Sequence, residues 1–217
     1  MNKKHILFPI ISLLMALCVL FLSSCGTNAT TATSGNNTSN TSSSGLQGTD
    51  LGATPAPNFQ LVDQNGKAVS LSQFKGMPVI LTFFYTHCVT LCPLLAQKIY
   101  TSLNELGPQA QHIGIIAISA DPKNDTPASV LAFSKAHGLE GYANWHYLMG
   151  SRAQLTPIWQ AYGVAGLPAN ATVMDENTMT HTSVIYVIDS QGRERVLLDS
   201  TLTPNQLTKD MTVLLHV

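Results

Sequence analysis

The sequence predicts one α/β domain, a mixed sheet flanked by helices, on three observations. Residues 78–85 (PVILTFFY) and 112–119 (HIGIIAIS) are apolar, β-rich runs without the alternation of a half-exposed strand, as expected of strands buried on both faces. A helical pattern follows each run, as a parallel crossover requires. Residues 184–188 (VIYVI) and 193–198 are then joined by Asp189-Ser190-Gln191-Gly192. That is a closing hairpin, and it makes the sheet mixed rather than purely parallel.

Taken in order, residues 59–62 (FQLV) alternate and meet a turn at Asp63-Gln64-Asn65-Gly66, from which 67–71 can return as a second strand. After the strand at 78–85, a helix is expected from Cys92 to Leu106. Leu95, Ile99, Leu103 and Leu106 fall on one face, and Gly107 is the stop. Thr126-Pro127 supplies an N-cap and a first-turn proline for a helix over 128–136. A short strand is expected at 147–149. Ser151 then caps a helix through Tyr162, which Pro157 bends or restarts. Thr203-Pro204 opens the last helix, which reaches Leu215. This is a thioredoxin-like layout with an N-terminal β-hairpin added, assigned to residues 51–217.

The preceding residues are of two other kinds. Lys3 and Lys4 lead an apolar run from Ile6 to Leu22 that closes on small residues, Leu22-Ser23-Ser24-Cys25. The run is shorter than the roughly 20 residues of a spanning helix, so residues 1–24 read as an export signal. Leu-Ser-Ser-Cys resembles a bacterial lipobox. That implies lipidation of Cys25 and a mature protein anchored on the extracytoplasmic face of the cell membrane. Cys18 would leave with the signal. Residues 25–50 then form a tether of Ser, Thr, Asn and Gly, too poor in apolar side chains to offset its ordering entropy.

Charge narrows the function. Charged residues are only 11% of the 217-residue chain, with 11 Lys and Arg against 12 Asp and Glu. No positive surplus exists to displace counterions from phosphates, which disfavours nucleic-acid binding.

The globular part has two cysteines, Cys88 and Cys92, in THCVTLCP, where the buried strand hands over to a helix. In a helical or near-helical turn residues four apart share a face. Their α-carbons are then about 6 Å apart, within disulfide reach. The helix N-terminus offers unpaired N–H groups that favour thiolate. The two sulfurs can therefore form a reversible disulfide, hold one soft metal, or serve as a static bridge. A static bridge over so short a loop would constrain the unfolded chain little.

THCVTLCP after a hydrophobic strand resembles the SCO/SenC family of copper proteins. So do SADPKNDTP (119–127), similar to the family's (S/T)xDPxxDTP loop, the stretch from Trp145 through Tyr162-Gly163-Val164, and HTSVIYVID (181–189), similar to HSxxxYLID. The family serves assembly of the dinuclear copper centre of cytochrome c oxidase. The resemblance implies copper, Cu(I) or Cu(II), as cargo; Cys88, Cys92 and His181 as its ligands; and the copper-accepting oxidase subunit as partner. Val89-Thr90 stands where the family usually has Pro and often Asp. Two thiolates suit Cu(I), and an imidazole adds a donor for Cu(II).

Other polar residues carry less. His87, next to Cys88 on extended chain, is expected to face away as strand-end packing or support. His112, His137, His146 and His216 show no partner pattern. Asp121 and Asp125 are expected to shape a turn and a helix cap before Pro127. Trp145 and Trp159 are expected to pack.

The leading function is a membrane-tethered copper chaperone. The alternative is a thiol–disulfide reductase that keeps the oxidase subunit's cysteines reduced, with Cys88 and Cys92 as the redox-active pair. Residues 56–59 (APNF) also resemble the opening of peroxiredoxins, but Val89 stands three residues before Cys92 where those enzymes carry Thr. A zinc enzyme would need a general base, and no glutamate lies near the motif.

Overall fold

A computed structural model describes residues 45–166 and 183–217. Its elements, numbered among these residues, are β1 (Thr49–Pro55), β2 (Gln60–Val62), β3 (Ala68–Ser70), β4 (Val79–Phe84), α1 (Leu91–Leu106), β5 (Gly114–Ser119), α2 (Pro127–Ala136), β6 (Trp145–Leu148), α3 (Arg152–Ala161), β7 (Ile185–Ile188), β8 (Arg193–Leu198) and α4 (Pro204–Leu215). Six strands form one sheet in the order β1-β8-β7-β4-β5-β6. β4, β5 and β6 run parallel, while β7 is antiparallel to β4 and β8 antiparallel to β7. The sheet is thus mixed, and the β7–β8 hairpin makes it so.

Every residue of β4 and β5 is buried. Along β4 the pleat sends Ile80 and Phe84 to one face and Val79, Leu81 and Phe83 to the other. The first face is covered by α1 and α4, through Leu95, Ile99, Leu103, Leu207, Met211 and Leu214, and by α2 through Val130 and Phe133. The second is covered by the β2–β3 hairpin through Leu61 and Val69 and by α3 through Leu155 and Trp159. Each fully buried Leu or Ile contributes about 1.5–3 kcal/mol of apolar transfer, and both faces are supplied.

The helix starts follow their sequence signals. Thr126, Ser151 and Thr203 each accept the N3 backbone N–H of the helix they open, satisfying one otherwise unpaired donor apiece. Pro157 sits inside α3 without ending it. Gly107 closes α1 with φ 56°, a left-handed backbone that favours glycine. The β2–β3 hairpin is tied to the sheet by the bridge between Val62 and Met149.

Three features differ from the sequence expectation. The folded domain starts before Leu51. Leu46 is 1% exposed within the core, the Gln47 N–H donates to Asp210 Oδ1 at 2.7 Å, and β1 begins at Thr49 and pairs with β8. The boundary between tether and domain therefore moves upstream. Composition hid it because β1 (TDLGATP) is an exposed edge strand with a pairing irregularity between Asp50 and Thr54, where Ala53 has φ 59°. His146 does have a partner: its Nδ1 lies 3.0 Å from Asp63 Oδ2, joining β6 to the β2–β3 turn. His112 closes a 3-10 turn (Gly107–His112) rather than opening β5. Among the described residues no helix is long and apolar enough to cross a membrane. The expected signal at 1–24, Cys25 and most of the expected tether lie outside the described residues.

Candidate functional site

β4 and α1 are joined by the turn 85–90, which carries the first cysteine. The Cys88 N–H donates to the Tyr85 carbonyl at 3.1 Å, closing a turn directly after the strand. Cys88 thus precedes the helix, and Cys92 is its second residue, with Thr90 in the N-cap position. The Thr90 side chain makes no cap hydrogen bond. The sulfur of Cys88 substitutes for it: the Cys92 N–H points at Cys88 Sγ from 3.2 Å. A helix N-terminus is a ready anion site, and here a side chain four residues back fills it.

Both cysteines are free thiols in this structure. They are also buried, 5% and 4% exposed, while Val89 between them is 90% exposed. The loop apex therefore stands in solvent with the two sulfurs beneath it. The pair is electrostatically unequal. Cys88 is pushed down to about 5, first by the hydrogen bond from the Cys92 thiol, then by the backbone N–H groups of Cys92 and Thr90 and the Tyr85 hydroxyl, against the cost of burial. Cys92 is pushed well up by that same hydrogen bond and by burial. One sulfur is thus a thiolate at neutral pH and the other its proton donor. Tyr85 is in turn held protonated by burial and by the Cys88 charge.

A groove beside Cys88 is lined by His87, Pro93, Ala132, Phe133 and His137. His87 is exposed, with only the Thr86 hydroxyl, 3.3 Å from its Nδ1, as partner among the described residues. It stands in solvent rather than in strand-end packing, because the chain leaves the sheet at Tyr85. His137 packs on Phe133 with ring centroids 4.4 Å apart. Trp145 and Trp159 pack as expected, their indole N–H groups donating to Ser134 Oγ and the Ser119 carbonyl. Asp121 shapes the turn, accepting from Lys123 N and Asn124 Nδ2.

Asp125 does not cap a helix; Thr126 does. Its carboxylate instead accepts from Thr86 N and Thr86 Oγ1 at 2.8 Å, from Ser119 Oγ at 2.6 Å and from Tyr147 OH at 3.1 Å. This anchor of the cysteine loop was not legible in the sequence, since its donors lie 39, 6 and 22 residues away.

His181 lies outside the described residues. Among those residues no group of three or more His, Cys, Asp or Glu could hold a metal ion. The donor set on view is two sulfurs, one of them ionised, a set suited to a soft metal or to thiol–disulfide exchange.

A thioredoxin-like sheet with a reduced cysteine pair at the mouth of the first helix defines a class, the extended thioredoxin-like dithiol proteins. Within it, the chain belongs to the SCO1/SenC family, whose model matches residues 48–216. It is similar to the SCO2-like protein RP587 of Rickettsia prowazekii, 29% identical over 140 residues. It is also similar to the SCO1 protein homolog of Bacillus subtilis, 27% identical over 137 residues. Each alignment covers 62% of this chain, and the chain spans 64% and 68% of those relatives' lengths. Among solved structures, copper-bound ScoI of Bradyrhizobium japonicum matches with a TM-score of 0.62 and 31% identity, over 74% of this chain and 99% of that one. The family and the thioredoxin-like fold expected from the sequence are thereby established.

Proposed function

We propose that this protein is a copper chaperone. It binds one copper ion through Cys88, Cys92 and His181 outside the cytoplasm, held to the membrane by a lipid on Cys25. It passes the ion by ligand exchange to the copper-accepting subunit of cytochrome c oxidase. The observation that carries this reading is the Cys88–Cys92 pair, reduced, buried and half-ionised beneath an exposed loop. Such a pair presents soft donors without an ordering cost, since the helix terminus already holds the first sulfur in place.

The topology supports the third ligand. Ile185, the first residue of β7, pairs with Thr82 near the end of β4, and Thr82 Oγ1 donates to the Val184 carbonyl. The chain therefore enters β7 at the end of the sheet where the cysteine loop leaves it. His181 is two residues upstream of Ser183, about 7 Å of chain at most. The copper-bound structural relative supports copper as the cargo, and the family's service in oxidase assembly supports the acceptor.

Copper titration tests this. The full chain, with Cys18 and Cys25 replaced by Ser and held in detergent micelles, is reduced and given Cu(I) or Cu(II). Expected are one ion per chain, a sulfur-to-Cu(II) charge-transfer band, and loss of both in Cys88→Ser and His181→Ala. Wild-type binding by His181→Ala would end the three-ligand site.

The inequality of the two thiols favours a second activity at the same site, disulfide reduction. Cys88 thiolate attacks a substrate disulfide, forming a mixed disulfide and expelling one substrate thiolate. Cys92, giving up its proton, then attacks Cys88 Sγ and expels the second thiolate, leaving the pair oxidised and the substrate reduced. Reduction of one disulfide per copper-free reduced chain, lost in Cys88→Ser, checks it.

A further inference from the structure

Asp125 is 7% exposed, and no Lys, Arg or His forms an ion pair with it among the described residues. A carboxylate buried without a cation is costly unless its oxygens are fully hydrogen-bonded. Burial pushes this one up, and four donors oppose that shift. The donors divide between the two oxygens. Oδ2 takes Ser119 Oγ and Tyr147 OH, both in the sheet. Oδ1 takes the backbone N–H and the hydroxyl of Thr86, both in the cysteine loop. One oxygen is thus seated in the rigid sheet and the other grips the loop two residues before Cys88. Beyond Thr86 the Cys88 N–H donates to the Tyr85 carbonyl, and Cys88 Sγ then meets the helix N-terminus.

We propose that Asp125 is the positioning residue of the dithiol. By fixing Thr86 to the sheet it sets the height of Cys88 Sγ at the start of α1, and so sets both the disulfide equilibrium of the pair and, resting on the copper reading above, its affinity for Cu(I). When the grip is lost, Cys88 moves off the helix terminus and its thiolate loses the N–H groups that stabilise it. The reduced form then loses stability relative to the disulfide, and one soft donor is no longer preset.

The test separates this from simple fold support. The full chain carrying Cys18→Ser and Cys25→Ser, in detergent micelles, is equilibrated with glutathione. The two thiols give two electrons and two protons to glutathione disulfide, which leaves as two glutathiones. Cu(I) affinity is read by competition with a chromophoric chelator, and folding by thermal melting. Asp125→Ala is expected to shift the glutathione equilibrium toward the protein disulfide by about tenfold, or about 30 mV. It should also weaken Cu(I) binding by about 10–100-fold, the usual effect of losing a ligand's support. Asp125→Asn keeps the Oδ1 acceptor and should stay within about threefold of wild type in both, which separates geometry from charge. Ser119→Ala removes an Oδ2 bond and the acceptor of the Asp121 N–H but leaves both Oδ1 bonds to Thr86, so it should lower the melting temperature while leaving both constants in place. If Asp125→Ala does not fold, Thr86→Val, which deletes one Oδ1 bond, should move the glutathione equilibrium the same way by a smaller factor. The proposal is overturned if the folded Asp125→Ala chain, or in its place Thr86→Val, keeps the wild-type equilibrium. It is equally overturned if Ser119→Ala shifts that equilibrium as far as Asp125→Ala does. A wild-type chain that holds no copper sinks the chaperone reading alone, because the glutathione measurement still decides on Asp125.

Discussion

The backbone N–H of Cys92 points at the sulfur of Cys88 from 3.2 Å, so the second cysteine of the pair helps ionise the first. The thiol of Cys92 adds the larger share by donating its own proton to the same sulfur. Titration of the reduced chain, followed by thiolate absorbance, should show one group with a midpoint at about 5, absent in Cys88→Ser. Cys92→Ala removes the thiol donor but keeps the N–H. Its Cys88 should titrate higher, short of the ordinary thiol value of 9.0. An unchanged midpoint in Cys92→Ala would mean that the thiol donor plays no part.

Asp210, in α4, is fully buried. Its Oδ1 accepts the Gln47 N–H, while its Oδ2 has no hydrogen-bond partner among the described residues. Burial pushes it up to about 7 from 3.8. Between those values the folded chain keeps a proton that the unfolded chain has released. Wild-type stability should therefore fall as pH rises from about 4 to about 7, and level off above. Asp210→Asn lacks this proton linkage. Its stability relative to wild type should rise by about 4 kcal/mol between pH 4 and pH 8, measured by denaturant unfolding. A pH-independent difference would show that the carboxyl titrates normally.

Leu46 lies upstream of β1 yet packs in the core that holds α1 and α4. Leu46→Ala should cost about 2–5 kcal/mol, the range for a buried leucine truncated to alanine. A chain started at Leu51 should lose this contact, the Gln47–Asp210 bond and the Thr49–Leu197 and Asp50–Val196 pairings together. Equal melting temperatures for chains started at Gly45 and Leu51 would contradict the earlier boundary.

Gly114 opens β5 against the ring of Phe74. A Cβ there would meet Phe74 Cδ1 at 2.4 Å, with Val79 Cγ2 behind it at 3.1 Å. Gly114→Ala should destabilise by about 1–3 kcal/mol through overpacking, and Phe74→Leu in the same chain should recover part of that loss. Without such recovery in a double-mutant comparison, Phe74 is not the obstacle.

Much of the site was readable in advance because its signals are local. The buried runs at β4 and β5, the caps Thr126, Ser151 and Thr203, and the strand-to-helix junction holding Cys88 and Cys92 each depend on residues a few positions apart. The edge strand β1 was missed because its burial is slight and its partner, β8, lies about 140 residues away. The His146–Asp63 pair, 83 residues apart, left no local trace either. The sequence points Asp125 to a turn or a helix cap for the same reason: an aspartate before Thr-Pro has a local role at hand, whereas its four donors come from three other parts of the chain.

From β2 onward the order of strands and helices, the spacing of the two thiols and the family motifs follow from the sequence alone, since hydrophobic period, capping and short-range geometry act within a few residues. Which sulfur is ionised, what anchors the loop beneath it, and where the domain begins were decided by tertiary structure. The first depends on burial and on the turn geometry within residues 85–92, the other two on contacts between segments that meet only when the sheet has assembled, and a lone carboxylate or leucine carries no mark of the partner it will find.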